Sequence, residues 1–199
     1  MKWEAAIAED FCAANLQTRC FNLVNVAIRE GGVVPFSAMA MFRRGRFETV
    51  DDFEVFKTAF IVRYKPNSNG QGGWQYPSSS NYTAYEYAEA VRTGKVDWKE
   101  RREILGLVEL LKEGLNDDIT FTTAMDTALD ARVIVDGCHR ATAIAFMLLE
   151  NSSELRKLLL SPYKLEMVEL RSKWTHLLYP CDFLNLCARF GGRDSGTEK

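Results

Sequence analysis

The chain has 199 residues, of which 47% are hydrophobic, and a formal net charge of -2. These values exclude a globally disordered protein and allow one substantial domain, or one domain with an extension. The balanced charge argues against a strongly basic nucleic-acid-binding protein. No apolar run approaches the roughly 20 residues that cross a bilayer, so we expect no membrane association.

Cysteine usage and the first residues indicate the compartment. The number of cysteines is odd and none forms a Cys-x-x-Cys pair; they are Cys12, Cys20, Cys138, Cys181 and Cys187. The opening segment carries acidic residues inside its apolar run, which is not typical of a secretory signal. We therefore expect a cytoplasmic protein whose thiols are free.

Residues 1–58 are predicted to be a mostly helical N-terminal extension without obvious chemistry. The segment FCAANLQTRCFNLVNVAIREGG (11–32) is typical of a helix that stops at a Gly-Gly pair. A basic cluster follows, formed by Arg43, Arg44 and Arg46. A solvated loop is favoured there over contact with an anionic substrate or partner. DDFEVFKTAF (51–60) predicts one or two helical turns.

A core domain is predicted over residues 59–175, and its first strand is FIVRYKP (60–66). A loop rich in Gly, Ser and Asn follows, either mobile or functional. Three aromatic residues flank it, namely Trp74, Tyr76 and Tyr82. Stacking on an adenine base or a sugar is one interpretation of these rings, and contact with the core is the favoured one.

Two helices and a pair of strands come next. YTAYEYAEAVRTGK (82–95) predicts a helix, and DWKERREILGLVELLKEGL (97–115) predicts a longer one with Asp97 as its N-cap. The longer helix has an apolar stripe at helical spacing, formed by Ile104, Leu107, Val108, Leu111 and Leu115. ITFTTAM (119–125) and RVIVD (132–136) predict strands that pair with each other.

The second strand leads directly into Asp136-Gly137-Cys138-His139-Arg140, and an apolar helix is predicted to start near His139. The first turn of a helix has unpaired N–H groups and a dipole that favour an anion. Arg140 adds a fork of donors suited to phosphate oxygens, and His139 can donate to the same anion. Asp136 can hold Mg²⁺ or accept a proton from a hydroxyl. An ordinary turn with a surface ion pair and a small buried Cys138 explains the pattern about equally well.

The order of helix REILGLVELLKEGL, strand ITFTTAM, strand RVIVDGCHRATA and helix resembles the ParB/sulfiredoxin superfamily over roughly residues 95–170. DGCHR is similar to the DGxHR form of its ATP- or ADP-using free-serine kinases. GCHR also matches sulfiredoxin, in which the cysteine is catalytic. The resemblance implies an α+β fold with a small mixed sheet. Residues 1 to about 55 and the tail after Leu170 have no counterpart in that superfamily. We expect residues 176–199 to form a C-terminal segment with a disordered tail.

The resemblance implies that ATP or ADP phosphates lie against Gly137, Cys138, His139, Arg140, Ala141 and Thr142. It implies that Asp136 and His139 are catalytic and that Asp136 holds Mg²⁺. Sulfiredoxin has glycine at the position of Asp136, so this residue favours the kinase-like branch. The chain departs from the ParB pattern, because DDITF replaces a Pro-Ile opening of the hairpin. The further glutamate of the serine kinases has no assigned position here, and solvated helix positions are expected for Glu103, Glu109 and Glu113.

Three functions follow. The first is a nucleotide-binding enzyme, a kinase-like transferase or a nucleotide hydrolase that acts on a small hydroxylated molecule. The second is a sulfiredoxin-like redox enzyme, in which the helix N-terminus and neighbouring cations would hold Cys138 as a thiolate. The third is a ParB-like DNA-binding module switched by nucleotide. That module needs a helix-turn-helix domain after the core, and only about thirty residues follow Leu170, so a nucleic-acid partner is disfavoured.

Overall fold

The computed structural model describes residues 1–6, 41–61, 65–66, 74–75, 82–127 and 130–172. Within these ranges the chain forms a six-stranded mixed sheet, a two-stranded ribbon, five α-helices and one 3-10 helix. The predicted α+β class with a mixed sheet is confirmed. The predicted helix over residues 11–32, most of the Gly/Ser-rich loop and the C-terminal segment 176–199 lie outside the described residues.

The elements have the following bounds. The strands are β1 (Lys2–Ala6), β2 (Met41–Arg46), β3 (Phe60–Ile61), β4 (Lys65–Pro66), β5 (Trp74–Gln75), β6 (Ile119–Asp126), β7 (Ala131–Asp136) and β8 (Leu165–Ser172). A 3-10 helix (Val50–Glu54) precedes α1 (Val55–Thr58), and the remaining helices are α2 (Ala84–Arg92), α3 (Trp98–Glu113), α4 (Cys138–Leu149) and α5 (Leu155–Leu160). No helix in the described ranges combines the length and the apolar character needed to cross a bilayer.

The large sheet has the strand order β1-β2-β8-β6-β7-β3. β6 and β7 form an antiparallel pair, and β8 lies parallel to β6, from Ile119 opposite Leu165 to Asp126 opposite Ser172. β2 continues the sheet antiparallel to β8, and β1 pairs antiparallel with β2. The last described strand therefore lies in the middle of the sheet and joins the hairpin to the N-terminal strands.

Several local predictions are confirmed. β6 and β7 pair as expected, and the helical turns predicted over residues 51–60 correspond to the 3-10 helix and α1. Asp97 is the N-cap of α3, where its carboxylate accepts a hydrogen bond from the backbone N–H of Lys99 at 2.9 Å. The stripe of α3 faces the core, with Ile104, Val108 and Leu111 buried. The strand predicted over residues 60–66 is present at Phe60–Ile61 and Lys65–Pro66, and residues 62–64 lie outside the described ranges.

The helical prediction for the N-terminal region is wrong for residues 2–6 and 41–46, which are strands β1 and β2. The solvated loop predicted for the arginine cluster is wrong for the same reason, since Arg43, Arg44 and Arg46 lie on β2. Neither strand has a local sequence signal. Their extended backbone is stabilised by hydrogen bonds to each other and to β8, and tertiary pairing of this kind overrides local propensity. The domain boundaries stay a prediction.

The core lies between the sheet and the helices. Four buried phenylalanine rings form its centre, namely Phe47, Phe53, Phe56 and Phe121. The ring centroids of Phe56 and Phe121 lie 5.1 Å apart. Helix α4 contacts both α2 and α3, and every residue from Ala141 to Met147 is buried. A helix enclosed on several sides cannot shift without opening the core, so the position of its first turn is fixed.

Candidate functional site

The turn between β7 and α4 requires glycine for two reasons. Gly137 is the N-cap of α4 and has φ 87° and ψ 18°, a left-handed conformation that L side chains rarely adopt. A Cβ atom at this position would also lie 2.8 Å from Cδ1 of Phe121. The predicted strand–glycine–helix turn is thereby confirmed.

The first turn of α4 presents backbone donors. The N–H of Ala141 donates to the carbonyl oxygen of Gly137 at 2.8 Å, which is the start of the intrahelical ladder. The N–H groups of His139 and Arg140 precede that bond and have no acceptor within the helix. Gly137 offers no side-chain cap, and the first turn contains no acidic residue. The positive end of the helix dipole is therefore not neutralised by residues of α4 itself.

Two half-buried charged side chains flank this turn. Asp136 is the last residue of β7, and Arg140 lies in the first turn of α4. Within the part of the chain that the structure describes, neither side chain has a recorded hydrogen bond or ion pair. A partly desolvated charge without a partner is costly, so both groups are available to an external ligand.

On β6, the strand paired with β7, the Thr122 side chain is a further polar group without a partner among the described residues. β7 accommodates an extra residue, because Thr123 lies opposite Ile134 whereas Thr122 lies opposite Asp136. Thr122 is fully buried, and its hydroxyl has no hydrogen-bond partner among the described residues. The hydroxyl has no accessible surface, so it is not exposed to a ligand beside Asp136.

His139 has a partner that the sequence analysis missed. Its Nε2 atom lies 3.8 Å from Oε1 of Glu100, a residue in the first turn of α3. The Glu100 side chain is 19% exposed and that of His139 53%. The glutamates considered from sequence, Glu103, Glu109 and Glu113, are all exposed, as predicted. No sequence signal separates Glu100 from them, because its role depends on how α3 packs against α4.

Three predicted ligands have inward-facing roles. The half-buried Cys138 thiol donates to the carbonyl oxygen of Ile134 at 3.3 Å. The Thr142 hydroxyl donates to the carbonyl oxygen of Cys138 at 2.9 Å, and the side chains of Ala141 and Thr142 are buried. The thiol contact joins the first turn to β7, and the hydroxyl contact lies within α4. Because the Ala141 N–H already donates to Gly137, the predicted phosphate contacts of Ala141 and Thr142 find no free donor here and stay a prediction.

The remaining candidates lie elsewhere. Among the described residues no group of three or more His, Cys, Asp or Glu side chains could hold a metal ion. Asp136 is the carboxylate at the site, which is compatible with Mg²⁺ because that ion takes one or two carboxylates together with phosphate oxygens and water.

Tyr82 contacts Tyr87, with ring centroids 5.7 Å apart, and Tyr76 lies outside the described residues, as does the Trp74 side chain.

Comparisons of the chain with protein-family models, with curated proteins and with solved structures gave no match. The relationship to the ParB/sulfiredoxin superfamily therefore stays a prediction.

Proposed function

We propose that the chain is a nucleotide-dependent phosphotransferase or nucleotide hydrolase that acts on a small hydroxylated molecule and uses ATP or ADP. The observation that carries the proposal is the pair of uncompensated, half-buried charges at the turn. The Arg140 guanidinium and the backbone N–H groups of the first turn suit phosphate oxygens. The Asp136 carboxylate beside them suits a cation or a transferable proton.

In this proposal the terminal phosphate of the nucleotide lies against the N–H groups of His139 and Arg140. The acceptor, a substrate hydroxyl or water, attacks the phosphorus atom; the bond from phosphorus to the bridging oxygen breaks, and the shortened nucleotide leaves with the bond electrons. Asp136 takes the proton of the attacking group. His139 donates to a phosphate oxygen. Positioning and charge stabilisation are the main contributions a protein makes to such a transfer.

Asp136 is also the residue that would hold Mg²⁺, which supplies positive charge at the phosphate oxygens when it is bound. The carboxylate can serve as metal ligand or as base. Both roles need the same unpaired, half-buried oxygen atoms, so the observation supports either one.

The thiol contact favours phosphoryl transfer over redox chemistry. A thiol that donates to a backbone carbonyl oxygen is stabilised in its protonated form, whereas a redox nucleophile must be a thiolate. Cys138 lies at the N-terminus of α4, but its sulfur faces back toward Ile134. We therefore rank the sulfiredoxin-like alternative second.

A ligand panel with one matched pair of variants tests the proposal. ATP, ADP, CTP and GTP are titrated with and without Mg²⁺, and binding is followed by the rise in melting temperature. Arg140→Ala should weaken nucleotide binding about tenfold to a hundredfold, since a charge-assisted contact is worth about 1.5–3 kcal/mol. Arg156→Ala removes an exposed arginine from α5 and should leave the affinity unchanged. Equal affinities for the two variants would place the nucleotide away from this turn.

A further inference from the structure

Three arginines converge on one buried glutamate near the beginning of β7. Glu169 on β8 is fully buried, and its Oε1 atom lies 2.7 Å from an Nη atom of Arg43. Its Oε2 atom accepts from Nε of Arg132 at 2.5 Å and from the Thr123 hydroxyl at 3.3 Å. Nε of Arg171 lies 3.6 Å from Oε1. Arg43, Arg132, Arg171 and Glu169 are called the arginine cluster below.

The sheet register brings these side chains to one face. Arg43 and Thr123 both lie opposite Glu169, on the neighbouring strands β2 and β6. Met125 lies opposite both Arg171 and Arg132. Directly opposed residues project from the same face of a sheet. Four adjacent strands therefore build the cluster, which does not depend on a flexible loop.

The charges of the cluster do not balance. Three guanidinium groups surround one carboxylate, so the surplus is +2 if every group is ionised. The arginine side chains are 21%, 16% and 28% exposed for Arg43, Arg132 and Arg171, so bulk water solvates them only in part. Burial lowers the pKa of the Arg43 guanidinium, Arg171 and Arg132 add to the lowering, and Glu169 opposes it. Guanidinium groups remain protonated in proteins, so among the described residues the cluster keeps a surplus of positive charge that an anion can compensate.

Much of the donor capacity is unused. Arg132 engages Glu169 through Nε, which leaves the N–H groups on both Nη atoms without a recorded partner among the described residues. Nε of Arg171 is buried and has no hydrogen-bond partner within the same ranges. Glu169 holds the guanidinium groups in place, and the Trp3 ring lies 3.6 Å from the Arg43 guanidinium carbon. Donors fixed in advance bind an anion at a lower entropic cost.

We propose that the arginine cluster binds a phosphate dianion, either inorganic phosphate or the phosphomonoester group of a small molecule. The surplus of +2 matches the charge of such a group, and guanidinium forks match its oxygen atoms. A nucleic-acid backbone fits less well, because each phosphodiester carries a single charge and the whole chain has a formal net charge of -2.

This site is separate from the start of α4. Arg132 and Asp136 are four residues apart on β7, which corresponds to about 13 Å along an extended strand. The proposal therefore does not rest on the proposed nucleotide chemistry. The two ideas can fail independently.

Thermal unfolding in inorganic phosphate, compared with sodium chloride of equal ionic strength, provides the test. We expect phosphate to raise the melting temperature of the wild-type chain more than chloride does. Arg171→Gln and Arg132→Gln should each weaken the apparent phosphate affinity about tenfold. Arg46→Gln is the matched control, since Arg46 is exposed on β2, and it should behave as the wild type. Circular dichroism without phosphate checks that each variant is folded.

The outcomes separate the two sites. If the phosphate effect survives in Arg140→Ala and is lost in the cluster variants, the cluster is the phosphate site. If it is lost in Arg140→Ala and survives in the cluster variants, the cluster proposal is overturned and the proposed function gains support. Equal effects of phosphate and chloride on the wild-type chain overturn the cluster proposal as well.

Chemical modification of the unaltered protein gives a second measurement that does not depend on variant folding. Phenylglyoxal reacts with arginine, and mass spectrometry locates the adducts. Phosphate and glycerol phosphate should slow modification of Arg171 and Arg132 at least threefold but leave Arg46 unaffected. No protection by either ligand contradicts the proposal. A short single-stranded oligonucleotide that protects better than glycerol phosphate contradicts the assignment to a small molecule.

Discussion

Nε2 of His139 lies 3.8 Å from Oε1 of Glu100, which links the first turn of α4 to the first turn of α3. The pair connects a residue of the DGCHR segment with a carboxylate about forty residues earlier in the chain. In the proposed reaction Glu100 would be a positioning residue, which acts on a ligand of α4 through His139.

Glu100→Gln should therefore reduce turnover more than nucleotide binding. We expect kcat for nucleotide turnover to fall about threefold to tenfold, with a smaller change in KM, because a positioned donor contributes mainly in the transition state. Glu103→Gln is the matched control, since Glu103 is exposed on the same helix. The same loss in both variants would mean that α3 has been perturbed as a whole.

Asp136→Asn and Cys138→Ser separate phosphoryl transfer from thiol chemistry. Asp136→Asn should lower release of the terminal phosphate by about 10²-fold or more, because an amide is a poor base and a poor Mg²⁺ ligand. Cys138→Ser should keep most of the turnover, since a hydroxyl can still donate to the carbonyl oxygen of Ile134. Both variants are assayed side by side with a panel of small hydroxylated acceptors. An inactive Cys138→Ser beside an active Asp136→Asn would make the thiol the reacting group.

Gly137→Ala should destabilise the fold as well as the site. The added Cβ would lie 2.8 Å from Cδ1 of Phe121, and the alanine would have to adopt φ 87°. We therefore expect a loss of about 2–5 kcal/mol in the free energy of unfolding. Gly94→Ala isolates the backbone contribution, since φ there is 72° and nothing lies within 4 Å of the added atom. That variant should lose about 1 kcal/mol. Urea denaturation measures both, and equal losses would show that Phe121 moves aside freely.

Glu169→Gln should be strongly destabilising, because it leaves three arginines around a neutral side chain. Removing one partner of a buried ionic group costs about 3–5 kcal/mol. Glu166→Gln is the matched control: its side chain is 15% exposed, lies on the same strand and is 3.8 Å from Arg44. We expect the control to lose less than about 1 kcal/mol. A similar stability of the two variants in urea would contradict the role of Glu169 as the counter-charge of the cluster.

The sequence predicted the parts of the molecule whose signals are local. Helix α3 has its N-cap and stripe within one segment, and the turn at Gly137 is marked by a β-branched strand, a glycine and an apolar helix. β8 was not predicted, and neither was α5. A hydropathy pattern predicts that a glutamate such as Glu169 is exposed. Glu169 is buried because arginines from distant strands surround it, and the farthest of them is 126 residues away in the chain.

Some residues of the candidate site were predicted from local sequence signals, and others were not. The order Asp136, Gly137, His139 and Arg140 was sufficient to place a strand end, a left-handed turn and a helix start. Glu100 and Thr122 could not be found from sequence, because their relation to the turn arises from helix contacts and from the extra residue in β7. The helical prediction for residues 2–6 and 41–46 failed since those strands exist only through partners elsewhere in the chain.

The central position of β8 has a consequence for how the protein is made. β2 ends at Arg46, and its neighbour β8 begins at Leu165. About 120 residues must therefore be added to the growing chain before β2 can form hydrogen bonds with β8. At typical synthesis rates of about 5–20 residues per second, that edge of β2 stays open for on the order of ten seconds on the ribosome. The β6–β7 hairpin can form earlier, because its strands are adjacent in the chain. Late insertion of β8 is therefore the expected slow step of folding, and the nascent chain exposes an unpaired strand edge until then.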